Sequence, residues 1–205
     1  MSTEWPDEAL DRYAAVARPE YEEKDPAHDW SHIRRIWSRL PWLAREFDDI
    51  DVDRAAFLAA FHGLASRVRL DAALREAATQ CLLEQGRSSD EIADLLEALD
   101  RHTTSPVSPE EIVVHDANIL EVIGAFGIAK AFTKGGAEGQ SHEETISHYR
   151  RFLDAARYFT ATGRSVEPER RAYAQAFLTR FADEDGRGRH RADPDGHPTR
   201  SSPIN

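Results

Sequence analysis

Residues 59–66, Ala-Ala-Phe-His-Gly-Leu-Ala-Ser, decide how this chain is read. They lie in a run whose apolar positions Phe57, Leu58, Phe61, Leu64 and Ala65 recur with the spacing of one helical face. His62 falls on that face, beside Phe61 and Ala65 and one turn after Leu58. The next residue is glycine, which costs a helix interior about 1 kcal/mol relative to alanine. Both choices need a reason.

Outward from this stretch the sequence reads as helix after helix. An acidic helix over Asp7–Ala17 ends near Pro19. A second follows "KDPAHDW" and carries Ile33, Ile36, Trp37, Leu40 and Leu43 on one face, with a kink expected at Pro41. The third holds His62. The fourth spans about Leu70–Glu84 and stops at Gly86. Ser88 with Glu91 forms a capping box that opens a fifth helix bearing Ile92, Leu95, Leu96 and Leu99. "SPEE" at 108–111 repeats the device, with Pro109 at the first helical position, and opens a sixth helix through about Gly124. A glycine-rich loop, "TKGGAEGQ", is expected next, then helices over about His142–Phe159 and Pro168–Phe181.

No alternating strand pattern interrupts this series, so the predicted class is all-α, a bundle of about seven or eight helices. Residues 1–184 form one domain in this reading. Residues 185–205, "DGRGRHRADPDGHPTRSSPIN", have almost no apolar side chains to offset the entropy of ordering, and are expected to be a disordered tail.

Composition narrows the function. The chain has 205 residues, 40% apolar and 31% charged, which suits one globular core. A net charge of −11 argues against nucleic acid and anionic membrane surfaces as partners. Charges interrupt every apolar run well before the ~18 residues a membrane span needs. The opening "MSTEWPDEAL" is acidic, unlike a secretory leader, so the cytoplasm is the expected compartment. The single cysteine, Cys81, sits beside Leu82 and Leu83 and reads as an inert core thiol.

Four helices each aim a polar side chain at the apolar interior. His32 lies one turn before Ile36, His62 beside Phe61, His102 on the Leu95–Leu99 line, and Asp116 between Ile112 and Ile119. A buried carboxylate needs a cation or several donors. Imidazole is the commonest protein metal ligand at neutral pH. Together the four point to a shared polar site within the bundle. Spacing alone identifies neither a metal nor a reaction.

Three segments carry a family resemblance: "DPAHDWSHIRRIW" (25–37), the His62 stretch, and "HDANILEVIGAFGIAKAF" (115–132). In order and spacing they resemble the HD-domain phosphohydrolase superfamily, and within it the small YpgQ/YedJ-like bacterial HD hydrolases, over about Asp25 to Glu184. The family signature is a histidine, then a His-Asp pair, then a distant aspartate, together holding one or two divalent metals. The resemblance implies His32, His62 and Asp116 as the metal ligands, with a divalent metal (Mn, Fe, Ni, Mg or Zn) as cofactor. Chemistry rather than the resemblance adds His102, Asp29 and His28 as candidate catalytic groups: His102 or Asp29 as a proton shuttle, and His28, Asp29, His102 or His115 as a nearby replacement ligand. Lys134 in the glycine-rich loop, and His148 and Arg151 on the following helix, are the implied substrate contacts. The implied partner is a small-molecule substrate, a nucleotide among the candidates, and a homodimer stays open.

The departures from the pattern are specific. Gly63 stands where the pair's aspartate belongs, and Asn118 and Glu121 replace two further aspartates in "DANILEVIG". Two histidines and one carboxylate remain a competent three-ligand set with open positions. The alternative is a pocket without metal, in which His32, His62, His102 and Asp116 could still run general acid–base chemistry. The first reading is a metal-dependent phosphohydrolase of a nucleotide or other small phosphoester, with metal retention in question because of Gly63. The alternatives are a repurposed enzyme of a biosynthetic pathway (a metal-free lyase, isomerase or cyclase, or an iron oxygenase) and a non-catalytic binding descendant.

Overall fold

The computed structural model describes residues 4–186, and among them it contains ten α-helices and no strand. Helix α1 spans Asp7–Ala17, α2 Trp30–Leu43, α3 Val52–Ala60, α4 Ala65–Leu70 and α5 Ala72–Glu84. Then follow α6 Ser89–Arg101, α7 Pro109–Ile119, α8 Gly124–Ala137, α9 His142–Ala155 and α10 Ala161–Glu184. The expected all-α class stands, with more helices than the periodicity predicted. From residue 187 onward the expected tail lies outside the described residues.

Side-chain caps start most of these helices. Ser88 and Ser108 each accept from the backbone N–H three residues on, and Glu91 and Glu111 reach back to complete both capping boxes. Ser141 with Glu144 makes a third box, Asp51 caps α3, and Asp71 caps α5. That last cap moves the start of α5 from the expected Leu70 to Ala72.

The periodicity merged what the backbone separates. The helix carrying Phe57 ends at Ala60, residues 62–64 form one 3₁₀ turn, and α4 is a separate short helix. Gly63 therefore sits in a turn. The expected sixth helix stops at Ile119, and Gly124, at φ +83°, makes the left-handed turn that starts α8. The expected glycine-rich loop is mostly helix. Gly135 lies so close to Thr145 that a Cβ there would approach its hydroxyl to 2.2 Å, so glycine lets α8 pack tightly against α9. Helix α9 ends at Ala155, short of the expected Phe159, and α10 begins at Ala161 with Pro168 inside it.

The core forms where α3 packs against α1 and α7, and α2 against α7. Phe57, Leu58, Phe61, Ile33, Ile36, Leu40, Val113 and Val114 are fully buried there. Each large side chain contributes roughly 1.5–3 kcal/mol of apolar transfer free energy. Helix α8 packs against α9 and α10, and the space between this group and α7 holds the candidate site. Among the described residues no single helix is long and apolar enough to cross a membrane. Cys81 is partly exposed, and burial together with the nearby Glu84 charge raises its thiol pKa.

Candidate functional site

The inward-facing polar residues are buried as the pattern required: His32 is 2% exposed, His62 8%, His102 and Asp116 0%. Their polar atoms are committed to particular partners. The Leu99 carbonyl accepts from Nδ1 of His102 at 2.8 Å, which leaves Nε2 of His102 as an acceptor. Nδ1 of His62 donates to that Nε2 at 2.7 Å, so the proton of His62 is fixed by a carbonyl two residues away in the chain of bonds. Burial lowers both pKa values, to about 4 for His102 and well below the ordinary histidine value for His62.

His32 donates from Nδ1 to Oε2 of Glu121 at 2.7 Å. Burial holds its pKa at about 4 in spite of that carboxylate. Glu121 follows α7 and is fully buried. Its Oε1 accepts from Nε of Arg35 at 2.7 Å and Nη1 of Arg39 at 2.9 Å. Burial alone would raise its pKa, but the hydrogen bonds from His32 and Arg35 hold it well below the carboxylate range. Both guanidiniums also lie over the Phe126 ring.

Asp116 is enclosed by donors. Oδ2 accepts from Thr160 N at 2.7 Å and Thr160 Oγ1 at 2.6 Å, Phe159 N donates to the same carboxylate at 3.1 Å, and Nδ1 of His115 reaches Oδ1 at 2.9 Å. Thr160 Oγ1 in turn accepts from Gly163 N and caps α10. Asp116 thus ties α7 to the start of α10 and orients His115.

This arrangement does not fit a divalent ion held by His32, His62 and Asp116. The Asp116 carboxylate is filled by four donors, from Thr160 N, Thr160 Oγ1, Phe159 N and His115 Nδ1, and so has no oxygen turned toward His32 and His62. Among the described residues no group of three or more His, Cys, Asp or Glu side chains is placed to hold a metal.

Beside these residues lies a cavity of about 580 Å³. His28, His115, Asn118, Lys130, His148 and Tyr149 line it, along with Lys134, Arg157, Phe152 and Phe159. Two of its histidines are backed by carboxylates. Nδ1 of His115 donates to Asp116, and Nδ1 of His28 to Asp25 at 2.9 Å, so in each ring Nε2 is left as the unprotonated nitrogen. Burial and the Lys130 charge lower the His28 pKa, partly opposed by Asp25. Lys130 on α8 keeps only 11% of its side chain exposed and lies 3.3 Å and 3.4 Å from the two ring nitrogens of His32. Burial lowers its pKa to about 8 against the opposing Glu121 charge.

The residues singled out in the sequence divide accordingly. His28, Lys134 and His148 line the cavity; Lys134 also pairs with Glu138 on its own helix. Asp29 caps α2 by accepting from Ser31 N at 2.9 Å, and His102 sits behind His62. Arg151 lies in a different hollow with Glu143, Arg150 and Phe181. Lys130, Tyr149 and Arg157 were not foreseen. Lys130 had a legible signal as the lone charge between Glu121 and Lys134 in an apolar run.

No family model matches the chain, and no curated protein does. Solved structures do. Lin1889 from Listeria innocua superposes with a TM-score of 0.66 at 21% identity, over 91% of this chain and 98% of its own. An HD-superfamily hydrolase from Bacillus thuringiensis matches with a TM-score of 0.64 at 22% identity, over 88% and 98%. YpgQ from Bacillus subtilis, solved in complex with ADP, matches with a TM-score of 0.61 at 23% identity, over 86% and 97%. The chain therefore has the fold of the HD-superfamily hydrolases, as the three sequence segments implied. At this level of identity the likeness is one of fold.

Proposed function

We propose that the protein is an enzyme of general acid–base chemistry acting on a small anionic substrate held in the 580 Å³ cavity. One observation carries this reading: two imidazoles, His28 and His115, are each fixed through Nδ1 by an aspartate and line the same cavity. A carboxylate behind an imidazole sets its tautomer and stabilises the imidazolium formed when Nε2 takes a proton. One histidine can then accept a proton as the other returns one. Asn118, Lys130 and His148 supply polar contacts, and Phe152 and Phe159 supply apolar wall. That composition suits a compact ligand with an oxyanion at one end. Lysine, arginine and histidine concentrate at this wall of a chain whose net charge is −11.

The test is turnover of a panel of small phosphoesters and carboxylates by the full chain and by His28→Gln and His115→Gln. Each substitution is expected to lower turnover by about 10²–10⁴-fold with the helical content unchanged. Unaltered turnover in both variants would overturn the proposal.

A metal-dependent phosphohydrolase is the second reading, favoured by the fold and by the ADP found in YpgQ. It requires nucleotide hydrolysis that appears only with an added divalent ion, and a rearrangement that frees Asp116 from Thr160.

A further inference from the structure

Glu121 gathers more positive charge than it needs. One carboxylate faces Arg35, Arg39 and Lys130, and His32 donates to it as well. The two arginines hold it at 2.7–2.9 Å, whereas Lys130 Nζ stands 3.5 Å from Oε2. The guanidiniums and His32 already satisfy the carboxylate, so the ammonium is its loosest partner. Lys130 is nonetheless held at the cavity wall, against the histidine that the family pattern assigns to a metal.

Tyr149 also lines the cavity, but its hydroxyl is enclosed by the protein.

We propose that Lys130 is the built-in cation of this cavity, standing against His32 in place of a divalent ion, and that Lys130 binds the oxyanion of the substrate. The inference rests on the acid–base reading of the same cavity and adds what holds the anion. An ammonium delivered by the α8 backbone supplies positive charge without a ligand set, which fits a chain with glycine at 63 and with Asp116 engaged by α10. Lysine acts here as a point charge with three donors, one of which an incoming oxyanion can take.

The experiment is calorimetric titration of the chelator-treated full chain with inorganic pyrophosphate, with and without Mn²⁺, for the native protein and for Lys130→Met, Lys130→Arg and Tyr149→Phe. Native protein is expected to bind pyrophosphate without metal. Lys130→Met should weaken binding at least tenfold, Lys130→Arg should retain most of it, and Tyr149→Phe, whose lost hydroxyl is enclosed, should leave it unchanged. In parallel, trace acetylation of the native chain read by mass spectrometry should show Lys130 protected by pyrophosphate. That measurement holds even where a variant fails to fold. Absence of binding, binding that needs Mn²⁺, or an unprotected Lys130 would each overturn the inference. None of these readouts involves turnover. Failure of the histidine variants to lose activity would sink the acid–base reading and leave this one standing, and the reverse also holds.

Discussion

Two groups of histidines occupy the heart of this molecule and differ in what stands behind them. His32, His62 and His102 are buried side by side, and their Nδ1 protons go to Glu121, to one another and to a backbone carbonyl. His28 and His115 line an open cavity, each backed by an aspartate. The first group has what structure needs, low charge and satisfied bonds. The second has what proton transfer needs, a fixed tautomer and a free nitrogen at a ligand space. Burial of a histidine on an apolar face is thus a poor guide to which histidine does chemistry.

Substitution can break this contrast. The largest structural effect is expected from Glu121→Ala, which leaves Arg35, Arg39 and Lys130 around an empty buried position. Removing one side of such a cluster costs about 3–5 kcal/mol, so urea unfolding should show most of the stability lost. Asp116→Asn comes next, with about 2–3 kcal/mol lost as donors from Thr160 and His115 face an amide. It should also lower turnover by freeing the His115 ring.

Acid should act on the buried group. His32 and His102 have folded pKa values near 4, below the unfolded value near 6.5. Between those values the unfolded chain binds more protons, so stability is full above pH 6.5 and is lost as pH falls toward 4. The loss is at most on the order of 3 kcal/mol per histidine. His102→Gln should flatten this slope in pH-dependent unfolding; an unchanged slope would contradict the assignment. The smallest effect is expected from Gly63→Ala. Its Cβ would meet the flexible end of Lys24, so a change within about 1 kcal/mol in thermal unfolding is predicted, with turnover unaltered.

Much of the framework was legible in the residues. The serine capping boxes at 88 and 108 fixed two helix starts, and the apolar faces of α2 and α6 identified their buried sides. Capping is local chemistry and reads directly from spacing. The break at Phe61–Leu64 was not legible, because the apolar spacing continues through the 3₁₀ turn. The glycines of α8 read as loop, although Gly135 serves close packing against Thr145, a contact between distant parts of the chain. Asp116 was correctly placed inside, but three of its four donors, on Phe159 and Thr160, lie more than forty residues away. The Asp25–His28 and His115–Asp116 pairs lie close in sequence, yet only the fold brings both histidines to one cavity.

The central claim is that this cavity works with its own imidazoles and ammonium. The most direct measurement is the rate on the best substrate of the anion panel before and after exhaustive chelation, with metal content determined on the same untagged sample. Metal-depleted protein is expected to keep an unchanged rate. A rate abolished by chelation and restored by Mn²⁺ would contradict it.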